Sequence, residues 1–455
     1  MRLLTAITIG LLLVPALGLH AQRTDSTAAD TLPSHFWRGE HRNSGIRITS
    51  GGTYNRVEGL PVLIGPWIRD TLGGVTFRAD VLGIVRSANG FRWDSPNVGH
   101  SVTLDARRAD PAGRGWNINL SSFDIVDAVE PWQMSGAESG LATFFFHRDY
   151  RDYYGRHGAK ASAALMMSAR SSFAFALSDE RWATRAARDV FTVWKNGAAF
   201  RANPTLDGGR FRIATAQARL DSRNNPESPA TGLNLLAEYE TGSGRVTSPG
   251  AISTLARATS AGHIIYGRLL LDLRDYTRIS PATQINARLV LGGWLHGDPL
   301  PMERRLSVGG VATLPGYDFR DATLPGADVF QCNSGVAPVG LPAQCDRIAL
   351  AQIEYRSQLH AHFLDVMNSR PIRIRGVGLT VRPTAVVFVD AGRGWLVGNR
   401  VAGLRYGRAA IPPFGTFRTD VGVGLDLGLL GVYAAKAVSV SKEPANVFVR
   451  VSRRF

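Results

Sequence analysis

The most informative features of the sequence are those it lacks. Beyond its N-terminal segment it has no apolar run of the roughly 18 residues that a membrane-spanning helix needs. It has no H-E-x-x-H, G-x-S-x-G or Walker phosphate loop, and its ten histidines are scattered without metal-ligand spacing. We therefore expect no helical span, no enzyme activity, no cofactor and no metal site.

Lysine is also scarce, although the chain is strongly basic. The formal net charge is +15, and only Lys160, Lys195, Lys436 and Lys442 are lysines among 52 basic residues. A charge made almost entirely of arginine fits a compositional bias better than a nucleic-acid surface, and no basic patch interleaved with aromatic residues is visible. We expect no nucleic-acid partner.

Residues 1–21 have the pattern of a secretory signal. A positive start is followed by the apolar stretch from Leu3 to Leu17, and small residues precede Gln22. Cleavage there would leave a short polar tail at residues 22–45. An N-terminal membrane anchor is the alternative, but no stop-transfer pattern follows the apolar stretch.

From residue 46 onwards, apolar and polar side chains alternate along many short segments. Between Ile265 and Arg274 the leucines at odd positions fall on one face, while Arg268 and Asp272 fall on the other. A soluble β-sandwich would show the same alternation. The signal pattern and the terminal Phe455 favour an all-β transmembrane antiparallel β-barrel. Its polar face repeatedly carries arginine, so we expect an electropositive lumen.

The alternation predicts about sixteen strands, an even number as in single-chain bacterial barrels. They lie near residues 51–63, 72–86, 99–109, 115–125, 157–168, 170–182, 194–202, 209–220, 231–240, 262–275, 281–294, 347–358, 379–391, 416–427, 430–440 and 446–455. The strand near Phe200 has the weakest pattern. The long connection at 295–346 is expected on the outer face, folded towards the lumen.

A capping box at Ser135 and Glu138 predicts a helix near residues 136–152. The predicted strand count places this helix on the periplasmic side. It would be either a plug or interfacial helix that contacts lipid or a partner, or a connector packed against the barrel rim.

Several short motifs in the second half occur in a recognisable order. They are Asp221-Ser-Arg-Asn with Pro229-Ala-Thr-Gly232, Gly309-Gly310 with Gly316-Tyr317, Ile353-Glu-Tyr-Arg356, Phe388-Val-Asp-Ala-Gly392 with Trp395, and Val421-Gly-Val-Gly424. Together they resemble the bacterial surface antigen superfamily of outer-membrane assembly and secretion barrels (BamA/TamA-like). The resemblance is best over residues 209–455.

The resemblance implies a lock in which a loop arginine enters the lumen and meets acids on neighbouring strands. Glu354 and Asp390 match the acidic positions, and the alternation independently points both inward. The family's arginine, however, is replaced by Pro315, which brings no charge. Next to Gly316 and Tyr317 in the same loop, Arg320 is the nearest replacement. Alternatively, ordinary lumen arginines neutralise the acids.

The two cysteines of the chain, Cys332 and Cys345, both lie in the long loop. Because exported proteins meet oxidising conditions, we predict a disulfide between them that contributes about 3 kcal/mol if unstrained. The closing strand is predicted to present Val449, Val451 and Phe455 to lipid. A C-terminal aromatic resembles the signal read by the barrel-assembly machinery during insertion.

Two functions remain open for a protein of the bacterial outer membrane. One is assistance in inserting or translocating proteins or lipids, with outer-membrane lipids and a client protein or periplasmic docking partner as partners. The residues between Gln22 and Gly51 leave no room for the family's own docking domains. The other is a passive transport or structural barrel with a loop-occluded, electropositive lumen.

Overall fold

A computed structural model describes most of the chain. The described residues are 43–90, 92–195, 197–250, 262–317, 319, 345–359, 372–374, 377–379, 383–397, 405–407, 410–428, 430–439, 444–451 and 453–455. No helix among them is long and apolar enough to cross a membrane.

Among the described residues, sixteen strands form one antiparallel sheet in which every strand pairs with the next. In chain order, β1 to β16 are Ser44–Ser50, Pro61–Leu72, Val75–Arg86, Val98–Ala109, Gly115–Val129, Asp152–Met166, Ser172–Thr184, Gly208–Asp221, Gly232–Ser248, His263–Arg278, Thr283–Gly297, Arg347–Gln358, Thr384–Val397, Arg418–Asp426, Gly431–Ala437 and Asn446–Arg450.

The other elements are small and lie in the connections. In the part of the chain that the structure describes, helix α1 spans Gly136–Phe146, and three 3-10 turns span Ser87–Asn89, Met302–Arg304 and Phe414–Thr416. A small hairpin pairs Ile372–Ile374 with Val377–Leu379, and the two-residue strand Arg405–Tyr406 runs parallel to the end of β13.

The two faces of the sheet differ as the alternation predicts. On β12, Ile353 and Tyr355 are 55% and 43% exposed, whereas Glu354 between them is 0% exposed. On β13, Val389 is 51% exposed and Asp390 is 0% exposed. The exposed face is therefore apolar and the buried face carries the charged groups, as in an outer-membrane β-barrel.

The connections also differ between the two ends of the strands. Most links from even strands to odd ones are short, such as Gly73-Gly74, with 359–383 as the exception, whereas connections such as 130–151, 185–207 and 298–346 join odd strands to even ones. Outer-membrane barrels keep their longer loops outside, so the end with these connections is the outer end. We name it the loop end, and the opposite end the turn end.

Contacts between elements distant in sequence show that the sheet curls round a filled interior. Arg450 on β16 donates to both carboxylate oxygens of Glu138 in α1, which follows β5. The interior core includes Leu306 and Val308 of the 298–346 loop, packed with Trp132 and with Ile348 of β12. The described part of the long loop, residues 298–317, thus enters the lumen, as predicted.

Two strand predictions were wrong. One predicted strand is absent from the described residues and one observed strand was missed, so the total of sixteen is unchanged. Residues 51–60 form a loop between β1 and β2, whereas one strand was predicted at 51–63. No strand lies in the described part of 194–202. Tyr54 and Phe200 belong to one apolar cluster over the loop end, so their apolar character reflects packing between loops.

Because one strand was missed, the helix was predicted on the periplasmic side of the barrel, which is the wrong end. Helix α1 begins at the predicted position, with the Ser135 hydroxyl accepting from the Glu138 amide at 3.2 Å, and ends at Phe146. It lies in the 130–151 connection at the loop end, because one more strand precedes it than was predicted. There it packs on the loop that contains Tyr54.

The ion pair between Glu138 and Arg450 predicts a large change in stability. Glu138→Ala should lower the free energy of unfolding by about 3 kcal/mol, because it leaves a buried guanidinium without its carboxylate. Urea unfolding in lipid vesicles measures this change. Glu227→Ala, at an exposed turn position, is the matched control and should change little. Equal stability of the two variants would contradict the assignment.

Candidate functional site: an acidic cluster and its loop in the lumen

Three inward side chains lie side by side on neighbouring strands. Gln352 of β12 is opposite Asp390 of β13, and Asp390 is opposite Asp420 of β14. Glu354 lies one step along the same face of β12, and both aspartates are fully buried. Acids so close together in a dry interior require cations or donors around them.

Glu354 is held by two partners from the barrel wall. Asn286 of β11 donates to its carboxylate at 2.8 Å, and Arg356 lies 3.2 Å from the same oxygen. Arg356 also pairs with Asp426 of β14. These side chains link β11, β12 and β14 across the inner face.

The cation beside Asp390 comes from the C-terminus of the chain. Strand β16 ends at Arg450, and the guanidinium of Arg454 then donates to Asp390 and lies 3.8 Å from Glu354. It also stacks 3.6 Å from the ring centre of Phe388, a cation–π contact in a buried place. Arg454 thus occupies the position beside the acids where a loop arginine was expected.

The terminal residue lies where the sequence did not predict it. Phe455 is only 2% exposed, whereas Val449 is 45% exposed, so the expectation that Phe455 faces lipid is wrong. Val451, just after the end of β16, is half-buried. Hydrogen bonds of the preceding residue explain the burial of Phe455. Arg453 donates to the Pro229 carbonyl at 3.1 Å and to the Ser228 hydroxyl at 2.6 Å, and these bonds hold the tail away from the sheet.

The predicted loop residues contact the last strands directly. The Gly316 amide donates to Asp420 at 2.6 Å, and the Tyr317 hydroxyl lies 2.6 Å from the Ser439 hydroxyl. A β-carbon at position 316 would lie 2.6 Å from that of Asp420 and 2.7 Å from the Ala437 amide. Only glycine allows the backbone to approach Asp420 so closely.

Further contacts hold the same loop on both sides. Gln352 donates to the Thr313 carbonyl at 2.8 Å, and Asn446 of β16 donates to the Pro315 carbonyl at 3.2 Å. At the start of the segment, the Ser307 amide and hydroxyl donate to Glu130 at 2.6 and 2.7 Å. Residues 307–317 are thus fixed between the connection after β5 and the closing strands.

Glu303 is an unusual buried acid in the 298–346 loop. It is 3% exposed, and within the described part of the chain no side chain donates a hydrogen bond to its carboxylate. Burial, and then the neighbouring Asp207, raise the pKa of Glu303 well above its ordinary value. It lines an internal cavity of about 70 Å³. That volume holds only a few waters, so the lumen at this level is almost filled.

Two predicted residues lie outside the described residues. They are Arg320 and Cys332, so both the Arg320 contact and the Cys332–Cys345 disulfide stay predictions. Cys345 itself is 0% exposed, and its backbone pairs with Leu306. Asp420 and Arg454 were missed. Asp420 alternates with the outward Val421 and Val423 on β14, so its signal was available in the sequence, whereas Arg454 lies beyond the end of β16.

Comparisons with known proteins find similar solved structures but no matching family model and no matching curated protein. Among solved structures, the chain is similar to BamA from Haemophilus ducreyi lacking POTRA domains 1–3, with 12% identity, 90% of this chain and 70% of that chain covered, and a TM-score of 0.46.

Two CdiB structures are also similar. For CdiB from Acinetobacter baumannii the identity is 12%, the coverage 89% of this chain and 58% of that one, and the TM-score 0.33. For CdiB from Escherichia coli the identity is 11%, the coverage 90% of this chain and 61% of that one, and the TM-score 0.38. The chain therefore spans less than two thirds of either CdiB. These scores are too low to assign a family, so the fold rests on the strand pairings themselves.

The raised pKa of Glu303 predicts a pH-dependent loss of stability. Between its ordinary pKa and its raised folded pKa, the folded protein keeps a proton that the unfolded chain has lost, so stability falls as pH rises. Glu303→Gln removes this loss, and its advantage over the parent should grow by up to about 1.4 kcal/mol per pH unit as pH rises from the ordinary pKa towards the raised one. Unfolding free energies measured from pH 5 to pH 8 test this. Glu227→Gln is the control, and parallel profiles for Glu303→Gln and the parent would refute the assignment.

Proposed function

We propose that this protein is a BamA-like barrel of the bacterial outer membrane that assists the insertion or translocation of polypeptides. One observation carries the proposal. Residues 307–317 of the long loop lie against the inner face of the closing strands and are bonded to β14 and β16. A loop in that position controls the end of the sheet where a strand can be added.

The closing strand is short and depends on side-chain contacts. Strand β16 has five residues, and its backbone pairs with β15 from Gly431 to Ala435. From inside, Asn446 holds the Pro315 carbonyl, while Arg450 holds Glu138 and, at 3.3 Å, the Val311 carbonyl. Loosening the loop would weaken all these contacts at once.

A freed closing edge offers unpaired backbone groups to another chain. Extended polypeptides add to such edges as extra strands, because main-chain hydrogen bonds are nearly independent of sequence. The expected client is therefore a protein that enters the membrane as β-strands. The other partners are outer-membrane lipids and, for the chain's own insertion, the barrel-assembly machinery.

The filled lumen supports this proposal over passive transport. Interior arginines are compensated by acids: Arg288 and Arg274 flank Asp272, and Arg268 pairs with Glu238 and Glu240. With these charges paired and the internal cavity small, a resting anion channel is not expected. Low conductance in planar bilayers is what the proposal requires.

Covalent closure of the sheet tests the proposal. Cysteines introduced in pairs between Ser44–Ser50 and Asn446–Arg450 would join the first and last strands under oxidising conditions. Strand addition requires an open edge, so the joined barrel should fold normally and lose its cellular function, and reduction should restore it. The single-cysteine variants are the controls.

The opposite result is equally clear. A joined barrel that keeps its function would contradict edge opening. If the same barrel also conducts anions in planar bilayers, the passive transport function would replace the one proposed.

A further inference from the structure

A row of basic side chains crosses the outer wall of five neighbouring strands. From β6 to β10 each member is directly opposite the next in the strand register. The members are His157, Arg181, Arg210, Arg245 and His263. Side chains directly opposite each other in an antiparallel pair lie on one face, so this basic row is continuous.

The basic row points outward, away from the lumen. All five residues are exposed, and the side chains of His157 and Arg210 are 60% and 59% exposed. Their neighbours along the strands, such as Trp182 and Phe211, are buried in the interior. Neighbouring strands lie about 4.8 Å apart, so Arg181, Arg210 and Arg245 fall within roughly 10 Å of one another.

The row carries more positive charge than the wall neutralises. Asp179 accepts two hydrogen bonds from Arg210, each of 2.8 Å, and lies 3.7 Å from the 80%-exposed Arg212. Within the described part of the chain, Arg181 and Arg245 have no ion-pair partner. A multiply charged anion outside the barrel would complete this arrangement.

An apolar groove begins beside the row and extends towards the turn end. Its volume is about 740 Å³, and it reaches from Asp179 and Arg212 down the outer wall. Small side chains at Ala159 and Ala161 form its floor, and Leu177 stands 53% exposed at its side. The groove therefore joins a charged head region to an apolar channel, the two-part shape of a lipid.

The free-energy cost of exposing an arginine to lipid depends on its depth in the bilayer, and this cost indicates where the basic row lies. An arginine facing lipid costs about 2–4 kcal/mol at the bilayer midplane and about 0–1 kcal/mol near an interface. On β7 the exposed residues nearer the turn end than Arg181 include Phe173, Phe175 and Leu177, which form an apolar stretch. The row thus lies at the interface on the loop end, which is the outer leaflet.

We propose that the basic row and the groove bind a phosphorylated, acylated glycolipid of the outer leaflet, of the lipid A type. Guanidiniums of Arg181, Arg210 and Arg245 take the phosphates, since their planar donors match phosphate oxygens in pairs. Acyl chains lie along the groove over Ala159 and Ala161. Such a lipid would fix this side of the barrel, opposite the closing strands, in the membrane.

Lipid titration of the full-length protein tests the site. Native mass spectrometry from detergent would compare diphosphoryl lipid A with its dephosphorylated form. The triple variant Arg181→Ser, Arg210→Ser and Arg245→Ser should bind diphosphoryl lipid A at least about tenfold more weakly than the parent. Dephosphorylation of the lipid should weaken its binding to the parent similarly.

A matched triple variant removes the same charge elsewhere. It replaces three exposed arginines near the turn end: Arg107→Ser, Arg108→Ser and Arg278→Ser. This variant should bind lipid A with an affinity within about twofold of the parent's. Heat-resistant mobility on gels confirms that both triple variants fold. Equal binding by the two triple variants would overturn the proposal. So would equal binding of phosphatidylglycerol and lipid A by the parent, because the site would then not select the outer-leaflet lipid.

Discussion

The structure depends on keeping buried acids neutralised inside a nearly filled barrel. Asp390 and Asp420 are adjacent on neighbouring strands, with Glu354 close by, and their donors come from different parts of the chain. Arg454 comes from the C-terminus, and the Gly316 amide comes from the long loop. A buried carboxylate that loses its partner is strongly destabilising, so the loop, the tail and the wall must be assembled together.

This constraint explains why the interior tolerates so much charge. Arginine is suited to it because its planar donors satisfy two acids at once and its face stacks on aromatic rings. Arg454 does both, between Asp390, Glu354 and Phe388. The chain thus supplies from its own end the cation that Pro315 does not supply. The closing strand and the acidic cluster are thereby coupled, which is the physical basis of the proposed function.

Much of the fold could be predicted from period-two alternation, because the pleat of a strand fixes which side chains share a face. It correctly placed Glu354 and Asp390 inside. It failed where apolar loop residues imitate a strand, as at Tyr54 and Phe200, since packing between loops also selects apolar residues. The partner of Asp390 could not be predicted, because it depends on the tail leaving the sheet after Arg450 and contacting Ser228, far away in sequence.

The most direct test is the coupling energy between Arg454 and Asp390. A double-mutant cycle of Arg454→Leu and Asp390→Asn compares the unfolding free energies of the two single variants, the double variant and the parent in lipid vesicles. A direct buried contact predicts a coupling energy of about 2 kcal/mol or more, with the double variant more stable than the sum of the single changes implies. Additivity within about 0.5 kcal/mol would mean that the two groups do not interact, and would contradict a lumen held by the C-terminal arginine.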